Sequence, residues 1–367
     1  VKRSIALLLL LLAAPALAQE PETGTPSPKI EPSLFVEGYQ SFNFTNSAEQ
    51  SGDTNPGLQY GSKDGQPSLG LVEAGLTVSQ GEGEAHASFL FGPGAEYLFG
   101  SPSAEEGRLW EALVSYKPGS WTFTFGRRVT HMGYEAVRTD ENWNYSKSIL
   151  FQTAPTLHTG LSASYGPEET FRVTGYYYDA WDGLAALPPS LQGKALGIRI
   201  EGSPLPALSL TASGLTGALT DGDPGDLLAR SLWEVYAVLE ATDLLSLALH
   251  AEYGLTKDLS TGGSDPFGGV ALYGRFAFAE GWALALRLEE VLDEANLFEL
   301  YDSDPSSPQV EAREITLTLE RRLTGNLLAR LEGRFDQALS QGLPAPVFAE
   351  GLSDGQFTLT AAVLFGL

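Results

Sequence analysis

From about residue 33 to the end, the chain repeats one pattern: apolar and polar positions alternate in runs of roughly 9–12 residues, separated by turn chemistry. In 282–289, Trp282, Leu284, Leu286 and Leu288 share one face, while Ala283, Ala285, Arg287 and Glu289 share the other. In 327–336, Leu327, Ala329, Leu331, Gly333 and Phe335 oppose Leu328, Arg330, Glu332, Arg334 and Asp336. The segments 196–201 and 315–320 repeat the arrangement, and the last eleven residues, FTLTAAVLFGL, keep Phe357, Leu359, Ala361, Val363, Phe365 and Leu367 on one face. A period of two is that of a β-strand, and runs of this length suffice for a tilted strand to cross a bilayer.

The connections alternate in length. Short ones fall at 81–84, 117–120, 166–169, 203–206, 242–245, 279–281 and 324–326. Long ones, rich in Gly, Asp, Ser and Pro, surround 46–66, 93–107, 180–193, 218–229, 257–266, 293–309 and 338–355. The prediction is an all-β, 16-stranded antiparallel transmembrane β-barrel with short periplasmic turns and long extracellular loops. The even count requires 129–157 to be one long connection, the third on its side, folded inward. A soluble sandwich would also alternate, but its one apolar face would meet a protein core. Here nearly every strand is one-sided, which suits lipid outside and water inside. Trp110, Trp121, Trp233 and Trp282 fall at strand ends on the apolar parity, the placement of two aromatic girdles facing outer-membrane lipids. The closing apolar strand, 357–367, resembles the signal read by the outer-membrane assembly machinery, although it ends in Leu367 where such signals usually end in Phe.

Composition narrows the picture. The 367 residues carry a formal charge of −24 and no Cys, which excludes disulfides and thiolate metal sites and argues against nucleic acid. Lys2 and Arg3, the apolar run from Ile5 to Ala14, and Ala16-Leu17-Ala18 read as a secretory signal peptide (1–18) cleaved after Ala18. Residues 19–32 read as a Pro-rich periplasmic leader, with the barrel over 33–367. Catalytic signals are weak: four His (His86, His131, His158, His250) and no G-x-S-x-G or H-E-x-x-H, so neither an enzyme nor a cofactor is expected. The acidic segments 221–226 and 301–307 supply clustered oxygens without the spacing of a calcium loop.

The segment 131–161 carries a resemblance. His131-Met132-Gly133-Tyr134-Glu135, Asn142-Trp143-Asn144-Tyr145-Ser146 and His158-Thr159-Gly160-Leu161 resemble the OmpL-like family of β-barrel porins, and FGPGAE at 91–96 and DAWDG at 179–183 look similar too. The resemblance implies an outer-membrane barrel and transfers no activity residue by residue.

The barrel itself places the candidate site. Lumen parity gives an acidic set, with Glu37, Glu111, Glu201, Glu252, Glu289 and Glu332 in it, and a basic set with Arg199, Arg275, Arg287, Arg330 and Arg334. In the long connection, Glu135, Arg138, Asp140, Glu141 and Lys147 are candidates for a constriction, with Tyr134, Trp143 and Tyr145 packing it against the wall. The expected function is passive diffusion of small hydrophilic solutes or ions, with cations preferred because acids outnumber bases along the lining. The competing expectation is a non-conducting structural or adhesive barrel plugged by its own loop. Trimers are common for barrels of this width, but the sequence displays no homo-oligomer interface.

Overall fold

A computed structural model of the chain describes residues 26–45, 55, 63–99, 108–166, 171–183, 193–220, 227–294, 297–298, 310–340, 343–344, 348 and 353–367. Residues 1–18, read from the sequence as an export signal, residues 19–25 of the expected leader and the acidic segments 221–226 and 301–307 lie outside the described residues. Sixteen strands form the wall. They are β1 (Lys29–Asn43), β2 (Ser68–Gln80), β3 (Gly83–Phe91), β4 (Arg108–Tyr116), β5 (Trp121–Val129), β6 (Leu157–Tyr165), β7 (Phe171–Tyr178) and β8 (Ala195–Leu205). The second half holds β9 (Leu208–Thr220), β10 (Leu227–Glu240), β11 (Leu245–Asp258), β12 (Ser264–Ala279), β13 (Trp282–Asp293), β14 (Val310–Arg322), β15 (Leu327–Ser340) and β16 (Gly355–Gly366). Each pairs antiparallel with its sequence neighbours, and β1 also pairs with β16 from Phe35↔Gly366 to Asn43↔Thr358, which closes the ring. The extended dipeptide Leu343–Pro344 only adds to the end of β15. Closure leaves no sheet edge, as a spanning sheet requires when lipid offers no hydrogen bonds.

The alternation read from the sequence is the alternation of the wall. Leu284, Leu286, Leu288, Ile315, Leu317, Leu331, Phe335 and Val363 are exposed on the outside, while Arg287, Thr316, Thr318 and Arg334 between them are buried inside. The tight turns use the conformation only glycine adopts cheaply, with φ of 58° at Gly81 and 68° at Gly281. No helix among the described residues is long and apolar enough to cross a membrane.

Two expectations need correction. β1 begins at Lys29, inside the segment assigned to the leader: residues 29–32 pair with Ser79–Leu76 of β2. Pro32 looks like leader chemistry, but β16 ends before reaching it, so one side of this proline has no ladder to interrupt. Trp110 does not join the outer girdle. Trp121, Trp233 and Trp282 are 45%, 54% and 37% exposed, whereas Trp110 is 2% exposed. The cause is a bulge: Ser88 pairs with Glu111 and Phe89 with Leu109, so Trp110 is the extra residue. Leu109 takes the outward place, and Trp110 turns in to meet Phe99 of a short helix, α1 (Pro93–Phe99), with ring centroids 6.1 Å apart and planes nearly perpendicular.

Candidate functional site

Residues 130–156 join β5 to β6 without forming a strand. They contain a 3-10 turn at Thr139–Glu141 and one helical turn, α2 (Leu150–Thr153). Thr130 N–H donates to the Thr156 carbonyl at 3.0 Å and closes the neck. A segment with so little regular structure carries many backbone groups that its own turns cannot satisfy. The inner wall satisfies them by charge type. Carboxylates take its N–H groups: Gly133 donates to Glu234 of β10 at 2.7 Å, Tyr145 and Ser146 to Glu332 of β15 at 2.6 and 2.9 Å, and Ile149 and Leu150 to Glu289 of β13 at 2.7 Å each. Arginines take its carbonyls: Arg330 donates to Thr139 and Asn142 at 2.6 Å each, Arg287 to Ser146 at 2.7 Å, and Arg334 to Lys147 at 2.6 Å. The hydroxyls of Thr139 and Thr153 donate to Glu37 of β1 and Glu252 of β11. Charge-assisted bonds of this kind are about twice as strong as neutral ones, and here they reach the segment from β1, β8, β10, β11, β13 and β15.

Apolar packing completes the seat. Ile149 and Leu150 lie buried in one cluster with Ala248, Ala271, Val291, Ala312 and Ala338 of the inner wall, where small side chains leave room for them. Tyr145 is buried near Tyr39, with ring centroids 6.1 Å apart. Tyr134 sits 4.7 Å from Tyr273 and 5.5 Å from Tyr236, with Trp143 edge-on at 6.3 Å.

The loop charges nominated from sequence separate into two groups. Glu135 and Lys147 are buried structural members: Glu135 accepts from Arg287 at 2.7 Å and from Ser148 N–H at 2.7 Å, and Lys147 donates to the Ala136 carbonyl at 2.6 Å. Burial pulls the Lys147 ammonium down to about 8. Burial also pushes Glu135 up, but Arg287, Lys147 and the Ser148 bonds together outweigh it and hold its carboxyl below the usual range. Arg138 instead forms a local fork with Asp140 at 2.8 and 3.1 Å, and reaches Glu141 at 3.4 Å. The side chain of Glu141 is 56% exposed.

The lining residues separate in the same way. Glu37, Glu252, Arg287, Glu289, Arg330, Glu332 and Arg334 are taken up by the segment and are buried. Glu111, Arg199, Glu201 and Arg275 stay partly open. Arg199 binds Glu201 at 2.8 Å and the His131 carbonyl at 3.0 Å, and Arg275 binds Glu320 at 2.9 Å. Sequence reasoning gave His131 no catalytic role and left Thr139 and Thr153 unassigned. The His131 ring stacks on Tyr176 at 4.1 Å, its Nδ1 meets the Tyr178 hydroxyl at 3.1 Å, and burial lowers it to about 4. Nothing in a period-two pattern marks which loop residues will meet the wall, and the run of hydrogen-bonding side chains at 139–148 was the one available signal. A cavity of about 270 Å³ remains under the segment, lined by residues that include Tyr134, Glu135, Leu150, Arg199, Tyr236 and His250.

Known proteins place this arrangement. Residues 29–367 match the family described as "Putative beta-barrel porin-2, OmpL-like". No curated protein matches the sequence. Similar solved structures include OmpT of Vibrio cholerae in its trimer form, with 11% identity, 93% of this chain and 99% of that chain covered, and a TM-score of 0.64. The anion-selective porin from Comamonas acidovorans is similar with 11% identity, 93% and 100% coverage and a TM-score of 0.66. The outer membrane channel DcaP of Acinetobacter baumannii is similar with 13% identity, 96% and 100% coverage and a TM-score of 0.60. At such identities the likeness is one of fold, and it is to a closed porin barrel.

Proposed function

Because the chain belongs to the OmpL-like β-barrel porin family, we propose that it is an outer-membrane channel for passive diffusion of small hydrophilic solutes or ions, narrowed by residues 130–156. The observation that carries this is the asymmetry of the lumen. The segment is bonded mainly to β1, β10–β11 and β13–β15, while His86, Glu111, Arg172 and Glu201 on β3, β4, β7 and β8 keep water-accessible side chains. That side is also lined by hydroxyl pairs, Ser115–Thr124 and Ser164–Thr174, each at 2.9 Å. Polar, uncrowded side chains are what a hydrated path needs, and its width and charge then set what passes.

Cation preference is proposed in a weaker form than the acidic lining suggests. Glu37, Glu252, Glu289 and Glu332 are engaged by the loop and contribute little to the path. The partly exposed Arg138 and Arg275 each face a carboxylate, while Arg172 and Arg199 share Glu201, so Glu111 and the exposed Glu141 leave only a small bias of the path toward cations. Export by residues 1–18 and short turns on the periplasmic side belong to the same proposal, and a homotrimer is its natural assembly, since the Vibrio cholerae OmpT neighbour is described as a trimer.

A second reading keeps a specific observation in its favour. Arg287, Glu314, Arg334 and Asp336 are at most 1% exposed under the segment, which is the density of a plug. Planar-bilayer recording of the purified chain separates the two: stepwise conductance supports the channel, and silence supports the plug.

A further inference from the structure

On an antiparallel wall, two carboxylates placed directly opposite each other on one face repel. Three such pairs face inward on the second half of the barrel: Glu234↔Glu252, Glu289↔Glu314 and Glu314↔Asp336. Two of them have an arginine at hand. Arg287 binds Glu314 at 2.7 Å, and Arg334 binds Asp336 at 2.7 Å. The pair Glu234↔Glu252 has instead an imidazole, His250, with Nε2 3.1 Å from Glu234. All three residues are at least nine-tenths buried, and one ligand-type atom from each lies within 4.8 Å of the others. Two oxygens of the cluster, Glu234 Oε1 and Glu252 Oε2, are buried without a hydrogen-bond partner.

We propose that Glu234, His250 and Glu252 form a binding site for a divalent transition cation of the zinc class, and that the ion ties down both ends of segment 130–156. Two carboxylate oxygens and one imidazole nitrogen are a donor set such ions favour, and bonds of about 2.0–2.2 Å need ligand atoms only about 3.4 Å apart. A charge of +2 balances two carboxylates beside a neutral imidazole, and the two unpartnered oxygens supply ligand atoms without breaking a bond. The supporting bonds already exist. Gly133 N–H holds Glu234 at 2.7 Å, and the Thr153 hydroxyl holds Glu252. These are the outer partners that orient metal-ligating carboxylates, and they come from near the two opposite ends of the segment. The 270 Å³ cavity reaches His250 and supplies the path of entry.

The test uses the full chain, refolded in detergent, freed of metal and titrated with zinc chloride by calorimetry and by equilibrium dialysis with elemental analysis. The expected result is about one zinc per chain, held against a large excess of magnesium, because imidazole with carboxylates selects zinc over magnesium. The double variant His250→Asn/Glu252→Gln falls below about 0.2 equivalents, while Glu201→Gln, an acid outside the cluster, keeps the full equivalent. Heat-dependent gel mobility confirms that each variant retains the barrel. Zinc also slows hydrogen exchange at the Gly133 amide at least about tenfold in the wild type and not in the double variant. Substoichiometric binding by the wild type, equal binding by the double variant, or an unchanged Gly133 amide overturns the proposal. Because binding is read without conductance, its failure is distinct from failure of the channel.

Discussion

Replacing Glu332 with Ala removes one carboxylate and, with it, the acceptors of the Tyr145 amide at 2.6 Å, the Ser146 amide at 2.9 Å and the Thr318 hydroxyl at 2.6 Å. Thr318 Oγ1 already accepts from Asn144 Nδ2 at 2.8 Å, a donor that cannot take the freed hydroxyl proton. The two segment amides are buried and lose their acceptor outright. An orphaned buried donor costs about 1–3 kcal/mol, so the docked segment loses about 4 kcal/mol, or roughly a 10³-fold shift toward release. Arg330 and Arg287 still hold the Asn142 and Ser146 carbonyls, so release is local to the middle of the segment. Hydrogen exchange with site resolution is the assay. Exchange at Tyr145 and Ser146 accelerates by two to three orders of magnitude as a rough figure, while amides of β13 and β14 keep wild-type rates. Glu332→Gln retains one acceptor oxygen and falls between the two. An acceleration under about threefold in Glu332→Ala would refute the assignment of this carboxylate as an anchor.

Three further outcomes follow from the same geometry. Arg287→Met leaves Glu135 and Glu314 as buried carboxylates without their shared cation, a loss of about 3–5 kcal/mol that appears as lower yield of heat-resistant barrel or as a protease-sensitive 130–156 segment. Lys147 is pulled by burial to about 8, below its unfolded value, so the unfolded or released segment binds more protons between about pH 8 and 10.5. Docking therefore strengthens as pH rises through that window, by at most about 3 kcal/mol, and Ser146 exchange, corrected for its intrinsic pH dependence, reads the trend; an opposite slope contradicts it. Trp110→Ala empties a packed inner site and costs about 3–5 kcal/mol, measured by urea unfolding in micelles, whereas Trp233→Ala on the lipid face costs clearly less.

The wall was legible in the sequence because a barrel repeats one physical constraint at every second residue. Leu284, Leu286 and Leu288 needed no tertiary information to be placed outside, nor Arg287 and Glu289 to be placed inside. The even strand count rested on the rule that single-chain barrels keep both termini on one side, which assigned 148–154 to the connection, where Leu150–Thr153 folds as the short turn α2. Legibility failed where the period slips. Trp110 sits on a bulge, and one inserted residue inverts the face of its neighbours. It failed again inside the lumen. Parity identified Glu289 and Glu332 as inward, but not that their oxygens would be saturated by backbone amides rather than left to water. That depends on the path of an irregular segment, and irregular backbone leaves no periodic trace. The pairing of acids with N–H groups and arginines with carbonyls became visible only once both partners were in place.

The most direct test of the channel is a planar-bilayer recording of the purified, refolded chain under a tenfold salt gradient. Stepwise conductance with a reversal potential of the sign for modest cation selectivity is the predicted result. A wild-type chain that inserts and stays silent, while Glu332→Ala conducts, would contradict it and identify residues 130–156 as a plug.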